Sequence, residues 1–325
     1  NMARKLIKNL GKSKSVKRVK LLFKKIFITV FIVASIVAIF NITKYFEELY
    51  KVRDLKSTKI EYYMDVADEA GDGKVQLSWK ALLAIDMVIH DEDLSNIKKK
   101  DTLDIGEKFI VEDKNDKGEK VYKVKKFNKV LSELKFDSSQ KSRARKYMKD
   151  LEYTYLGNKQ LDSSDEKIKF IKKLEDSAIR EYIDYGILPS ITIGQAILES
   201  GWGNSKLTKQ SNNLFGIKAD KAWKGKSVEI STSEHYNEKI VASFRSYNSL
   251  QDSVKDHSLF LINNKRYRKH GLFEAKDYIS QAQSLENAGY STAEDKKGNR
   301  IYAELLIDVI RSYNLQLIDN KVETK

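Results

Sequence analysis

Glu199 is the residue whose type and setting point most directly to chemistry. It ends the run Ser190-Ile-Thr-Ile-Gly-Gln-Ala-Ile-Leu-Glu199-Ser200, whose apolar residues recur at helical spacing and which stops at Gly201-Trp202-Gly203. A carboxylate in the last turn of a helix faces the negative end of the helix dipole, and apolar neighbours strip it of water. Both effects raise its pKa. A carboxylic acid that stays protonated near neutral pH suits general-acid cleavage of a glycosidic bond. Aromatic residues follow at Trp202, Phe215, Trp223 and Tyr236, where ring faces could meet sugar rings. Asn213 is a hydrogen-bonding candidate beside them. Phe215 also reads as core.

Other chemistries find no footing. The chain has no cysteine, which removes thiol nucleophiles, disulfides and thiolate metal sites. His90, His235, His257 and His270 are scattered, with no paired-histidine helix motif, phosphate-binding glycine loop or nucleophile-elbow serine around them. The stretch from Asp113 through Asn115 to Gly118 resembles a calcium loop only superficially. It has Lys117 at the fifth position and Val124 where a bidentate Glu is required. No cofactor and no metal is implied.

The elements that must position Glu199 are legible around it. Lys167–Tyr185 has helical spacing, and the sole proline, Pro189, sits at the expected start of the next helix, where its missing N–H costs least. A further helix can begin at Asn204-Ser205. Val228–Tyr236 and Ile240–Tyr247 read as a hairpin, in which Glu234 shares parity with Val228, Ile230 and Tyr236. Segments Leu250–Ile262 and Ile301–Tyr313 read as structural helices.

Taken in order, these pieces resemble the glucosaminidase family of peptidoglycan hydrolases, glycoside hydrolase family 73. The matching fragments are Ala-Ile-Leu-Glu199-Ser-Gly-Trp-Gly, Asn-Asn-Leu-Phe-Gly-Ile-Lys, Trp-Lys-Gly, Glu-Ile-Ser-Thr-Ser-Glu234-His-Tyr, Asn287-Ala-Gly-Tyr290-Ser-Thr and Tyr302-Ala-Glu-Leu-Leu. The resemblance covers about residues 167–318. It implies a mainly α, lysozyme-like domain with a small β-hairpin lobe (α+β), and hydrolysis of the β-1,4 bond after N-acetylglucosamine in peptidoglycan glycan strands. It further implies Glu199 as general acid, Glu234 as the β-lobe carboxylate often assigned as base, and Tyr290 as a site tyrosine. Two routes follow: inversion with Glu234 activating water, or attack by the sugar's own N-acetyl group with Tyr290 assisting. The chain departs from the family at Ala293-Glu294, where an Asp is common, and in the polar insertion Asp295–Arg300. A lytic transglycosylase and a non-catalytic wall-binding or scaffold protein are the alternatives. The Leu214-Phe215-Gly216-Ile217-Lys218 run differs from the Gly-Leu-Met-Gln typical of the former.

The rest of the chain suggests an anchor. Its 60 Lys+Arg against 46 Asp+Glu give a net charge of +14, but residues 1–25 hold ten Lys/Arg and no acid, leaving +4 for the other 300. That concentration argues against nucleic acid as a partner and for anionic lipid. An uncharged apolar run follows from Ile26 to Ile42, ~25 Å long as a helix and so slightly short of the hydrocarbon core. The expected layout is a basic cytoplasmic tail (1–25), a transmembrane anchor (26–43), a helical stalk with a β-hairpin (44–165), the catalytic domain (166–319) and a short tail (320–325). By the positive-inside rule the catalytic domain lies on the outer face of a bacterial plasma membrane. Apolar residues from Trp79 to Ile89 need protein to cover them, which leaves room for a polytopic membrane partner.

Overall fold

Helical spacing in the sequence becomes helix over most of the chain, interrupted by two antiparallel hairpins. The computed structural model describes residues 57–152, 165–234 and 238–323, which all fall within one compact unit. The expected basic tail and the apolar run 26–43 lie outside the described residues. Among the described residues, no helix is long and apolar enough to cross a membrane.

The N-terminal part comprises α1 (Ser57–Gly71), α2 (Trp79–Ile89), α3 (Lys99–Glu107), hairpin β1 (Ile110–Lys114) and β2 (Lys120–Val124), α4 (Phe127–Glu133) and α5 (Ser138–Glu152). Helix α2 is buried from Trp79 to Val88 apart from Lys80, with α1, α3 and α5 packed on it. Its apolar faces, apart from the exposed Ile89 at its end, are therefore covered within this chain. The carboxylate of Asp86 on that helix accepts hydrogen bonds from Tyr63 Oη (2.9 Å) and Thr102 Oγ1 (2.7 Å).

The second part comprises α6 (Glu166–Tyr185), α7 (Pro189–Ser200), α8 (Lys206–Ser211), hairpin β3 (Ser227–Glu234) and β4 (Glu238–Arg245), α9 (Leu250–Asn263), α10 (Lys265–Lys269), α11 (Tyr278–Asn287), α12 (Tyr302–Ser312) and α13 (Gln316–Glu323). The expectation of a mainly helical architecture with a small β-lobe is met. Residues 320–323 continue α13 rather than forming a loose tail. Helix α7 is the hub: residues 189–197 are all buried, and α6, α11, α12 and α13 pack around it. A helix whose residues are buried on every side requires such packing all round it. Close packing with α12 depends on Gly194, where a Cβ would stand 2.7 Å from Leu306 Cδ1.

A polar seam binds the two parts together. Tyr278 Oη donates to Asp68 Oδ2 (2.6 Å), Gln76 Nε2 donates to Asp319 Oδ2 (2.7 Å), and Gln76 Oε1 accepts from Tyr278 N (3.0 Å). Arg311 pairs with Asp65. Residues 57–77 thus dock on the second part instead of standing clear of it as a stalk would. The reason is that Gln76 and Asp319, 243 positions apart, satisfy each other in the interior.

Candidate active site

Helix α7 delivers Glu199 to its final turn. Pro189 occupies the first turn, and Gly201 caps the end with φ +55°, its N–H donating to Ile197 O. Gly201, Trp202 (φ +63°) and Gly203 (φ +74°) are all left-handed, so the chain leaves the helix by a tight reversal. Ser200 Oγ fastens the loop, accepting from Gly203 N at 2.7 Å and donating to Ala196 O at 2.5 Å. A left-handed tryptophan is a strained position held by its surroundings. Here the Trp202 ring lies between Phe170 (6.0 Å) and Tyr313 (4.6 Å), with Lys167 Nζ 5.1 Å from its centre.

The Glu199 side chain reaches solvent, yet the protein crowds it closely enough to strip most of its hydration. Desolvation pushes its pKa up, and a hydrogen bond from Tyr302 Oη to Oε1 (3.1 Å) pulls it partway back. The other carboxyl oxygen has no partner among the described residues. The result is an acid that a ligand can reach and that resists ionising.

Tyr302 is the residue that sequence reasoning assigned to a merely structural helix. It is the first residue of α12, and Glu286 Oε2 accepts the next N–H, that of Ala303, at 2.9 Å. Its buried hydroxyl also accepts from Gln195 Nε2 at 3.0 Å. Gln195 and Glu199 are four apart on α7 and therefore share a face, so together they clamp one hydroxyl from both sides. That i, i+4 spacing was the signal available in the sequence. The Tyr302 ring stacks on Tyr290 (centres 5.3 Å apart, 29° between planes). Tyr290 follows Gly289 at the end of α11 and is half-buried, with Oη 3.3 Å from His257 Nε2. The insertion after it folds on itself: Ile301 N donates to Ala293 O, and Asp295 Oδ1 accepts from the backbone N–H of Lys297 and Asn299. It leaves Tyr290 and Tyr302 in contact.

The other expected site residues divide. Phe215 is buried and stacked on His257 at 3.8 Å, beneath the tyrosines, so it belongs to the core. The expectation that Asn213 meets a sugar fails: it is 1% exposed. Its amide donates to Ile217 O (3.0 Å) and Arg245 O (2.9 Å) and accepts from Ile217 N (3.2 Å), which leaves no N–H free. Trp223 is half-buried in the β-lobe, its indole N–H bound to Lys226 O (2.9 Å) and its ring under the Arg245 guanidinium (4.6 Å). Arg245 and Tyr247 both bond Asp256 of α9 and so brace that lobe. Glu234 ends β3 opposite Glu238, in a register unbroken from Ser227. Its side chain and all of Tyr236 lie outside the described residues. A cleft of about 630 Å³ opens on the Trp202 side of the loop, lined by Phe170, Lys173, Asn204 and Lys209 among others, and none of Glu199, Tyr290 or Tyr302 borders it.

The glucosaminidase family model, described as mannosyl-glycoprotein endo-beta-N-acetylglucosaminidase, matches residues 175–315, the stretch that carries this constellation. Residues 175–315 form a glucosaminidase-family domain. Similar proteins include the exo-glucosaminidase LytG of Bacillus subtilis, 37% identical over 170 residues, which are 50% of this chain and 57% of that one. The peptidoglycan hydrolase FlgJ of Vibrio parahaemolyticus is 37% identical over 129 residues, 38% of this chain and 42% of that one. Among solved structures, the catalytic domain of the autolysin Auto from Listeria monocytogenes aligns with a TM-score of 0.43 and 30% identity, over 57% of this chain and 98% of that chain. The chain spans about half the length of the curated relatives it matches. Within the glucosaminidase domain, Glu199 and the Gln195–Tyr302 clamp occupy the hub helix and its partner α12.

Proposed function

We propose that this chain is an endo-β-N-acetylglucosaminidase of peptidoglycan, hydrolysing the β-1,4 bond after N-acetylglucosamine, with Glu199 as general acid. One observation carries the reading. Glu199 is a solvent-reachable carboxyl with a raised pKa, one oxygen held by Tyr302 and the other unfilled. The unfilled oxygen passes its proton to the glycosidic oxygen as the bond to the anomeric carbon breaks. The departing sugar leaves as an alcohol, and the carboxylate left behind is stabilised by the Tyr302 hydrogen bond. Tyr290, in ring contact with Tyr302, hydrogen-bonds the sugar beside the scissile bond. Glu234 on the hairpin activates the water. In a Glu234→Gln variant the loss is then large, on the order of 10²-fold or more in kcat. A loss of only a few-fold assigns the attack to the substrate's own acetamido group instead.

The test is digestion of purified cell walls by the full chain, with mass spectrometry of the released fragments. Saccharides with reducing N-acetylglucosamine ends in a range of lengths support the reading. Single sugars alone would make the enzyme exo-acting, the activity in the name of the Bacillus subtilis relative. Anhydro-muramic ends would make it a lytic transglycosylase, and intact walls a binding protein.

The basic residues before the apolar run 26–43 support a further element of the proposal, that this run tethers the enzyme to the outer face of the plasma membrane. Tethering predicts that the protein stays with membranes through high-salt washing and leaves them only with detergent. Release by salt alone contradicts it.

A further inference from the structure

His257 is a wholly buried imidazole for which the proposed reaction has no use, yet it is wedged between the core residue Phe215 and Tyr290 of the site. It lies in α9, 0% exposed, with its ring stacked on Phe215 (3.8 Å between centres, 13° between planes) and edge-on to Tyr290 (6.0 Å, 80°). Nε2 is 3.3 Å from Tyr290 Oη, and Nδ1 has no hydrogen-bond partner. Burial pushes its pKa down to about 3, so the ring is neutral in use. A neutral imidazole has one N–H and one lone pair, and the hydrogen bond made by one nitrogen decides where the proton sits.

We propose that His257 is a positioning residue: its Nε2–H donates to Tyr290 Oη and thereby leaves the Tyr290 hydroxyl proton free to be given to the substrate. The alternative tautomer would bury an N–H at Nδ1 with nothing to accept it, and orphaned buried N–H groups are rarer in proteins than under-used acceptors. It would also require the Tyr290 hydroxyl to donate inward to Nε2, leaving only a lone pair for the sugar. With the proton on Nε2, the orphan at Nδ1 is a buried lone pair, and the phenol faces outward as a donor. Phe215 holds the imidazole plane, so the direction of this donation is fixed before any ligand arrives. The inference rests on the proposed role of Tyr290 as a sugar contact.

The deciding experiment has a spectroscopic and a kinetic arm, both on the full chain. With histidine nitrogens labelled, NMR reads which ring nitrogen of His257 carries hydrogen, and a His257→Gln variant assigns the signal among the four histidines. A protonated Nε2 supports the proposal, and a protonated Nδ1 overturns it whether or not any variant folds. In wall digestion, His257→Phe keeps the stacked ring but removes the donor. Its expected effect is ~10-fold off kcat with KM within ~2-fold, and His257→Gln, which can still donate, recovers most of it. Combining His257→Phe with Tyr290→Phe is expected to cost no more than Tyr290→Phe alone. Multiplying losses would mean that the two act independently, against the proposal. Walls left intact by the wild-type chain would sink the glucosaminidase reading itself, whereas the tautomer is read without any turnover.

Discussion

Helix α7 has a perturbed carboxyl at each end, and the two are built for opposite purposes. At the N-terminal end, Asp319 reaches in from α13, fully buried, and accepts from Ser190 N (2.8 Å) and Gln76 Nε2 (2.7 Å). Burial raises its pKa to about 7 in spite of those hydrogen bonds. At the C-terminal end, Glu199 is also raised by desolvation, but it reaches solvent and only one of its oxygens is engaged. Both would be picked out by a search for shifted acids. A raised pKa alone therefore does not mark the reactive group. Unfilled bonding capacity at a surface open to ligand does, while a closed set of donors marks a joint.

The sharpest break of this comparison is Glu199→Gln. Losing a general acid is expected to reduce kcat by ~10²–10⁴-fold, with the urea midpoint of unfolding unchanged within error. Loss of folding stability together with activity would place Glu199 in the same structural class as Asp319.

The converse change is Asp319→Asn. An amide offers Ser190 N and Gln76 Nε2 only one acceptor between them, so the expected cost is about 1–3 kcal/mol of stability with activity per folded molecule nearly unaltered. The cost has a pH signature. The folded state keeps the Asp319 proton up to about pH 7, whereas the unfolded chain loses it near 3.8. The stabilisation is thus complete below 3.8 and lost as pH rises through 7. In urea unfolding, wild type should lose stability relative to the variant as pH rises from about 4 to 8. A wild type that gains on the variant with rising pH contradicts the assignment.

The smallest effect sharpens the Glu199 end. Tyr302→Phe removes the hydrogen bond that favours the ionised carboxylate, so Glu199 should hold its proton to higher pH. The alkaline limb of the pH–kcat/KM profile then moves upward, with ~3–10-fold lost from kcat because the carboxylate formed in the transition state is less well held. A limb that moves down, or stays fixed, removes Tyr302 from the site.

Features set by adjacent residues were legible in the sequence. Pro189 and Gly201 bracket α7, Ser205 caps α8 by accepting from Thr208 N, and the β3–β4 hairpin follows the alternation of Val228 and Ile230. Glu199 was legible because its helix-end setting is a local fact. What escaped depends on partners far along the chain. Tyr302 reads as part of a packing helix, Ile301–Tyr313, and only the close approach of α12 at Gly194 turns its hydroxyl to Gln195 and Glu199. Asn213 looked free to bind sugar because nothing in the sequence shows that the backbone of Ile217 and Arg245 claims its amide. The docking of residues 57–77 rests on Gln76, one polar residue in a short connection, whose three partners lie more than 200 positions away.

The central claim, that Glu199 enters the reaction as an acid, can be tested by following its carboxyl carbon by NMR across a pH titration of the full chain, with the signal identified by its absence in Glu199→Gln. The account predicts a midpoint above 4.5, the ordinary value for a glutamate, and a further rise in Tyr302→Phe. A midpoint at or below 4.5 would leave the group ionised at neutral pH and contradict it.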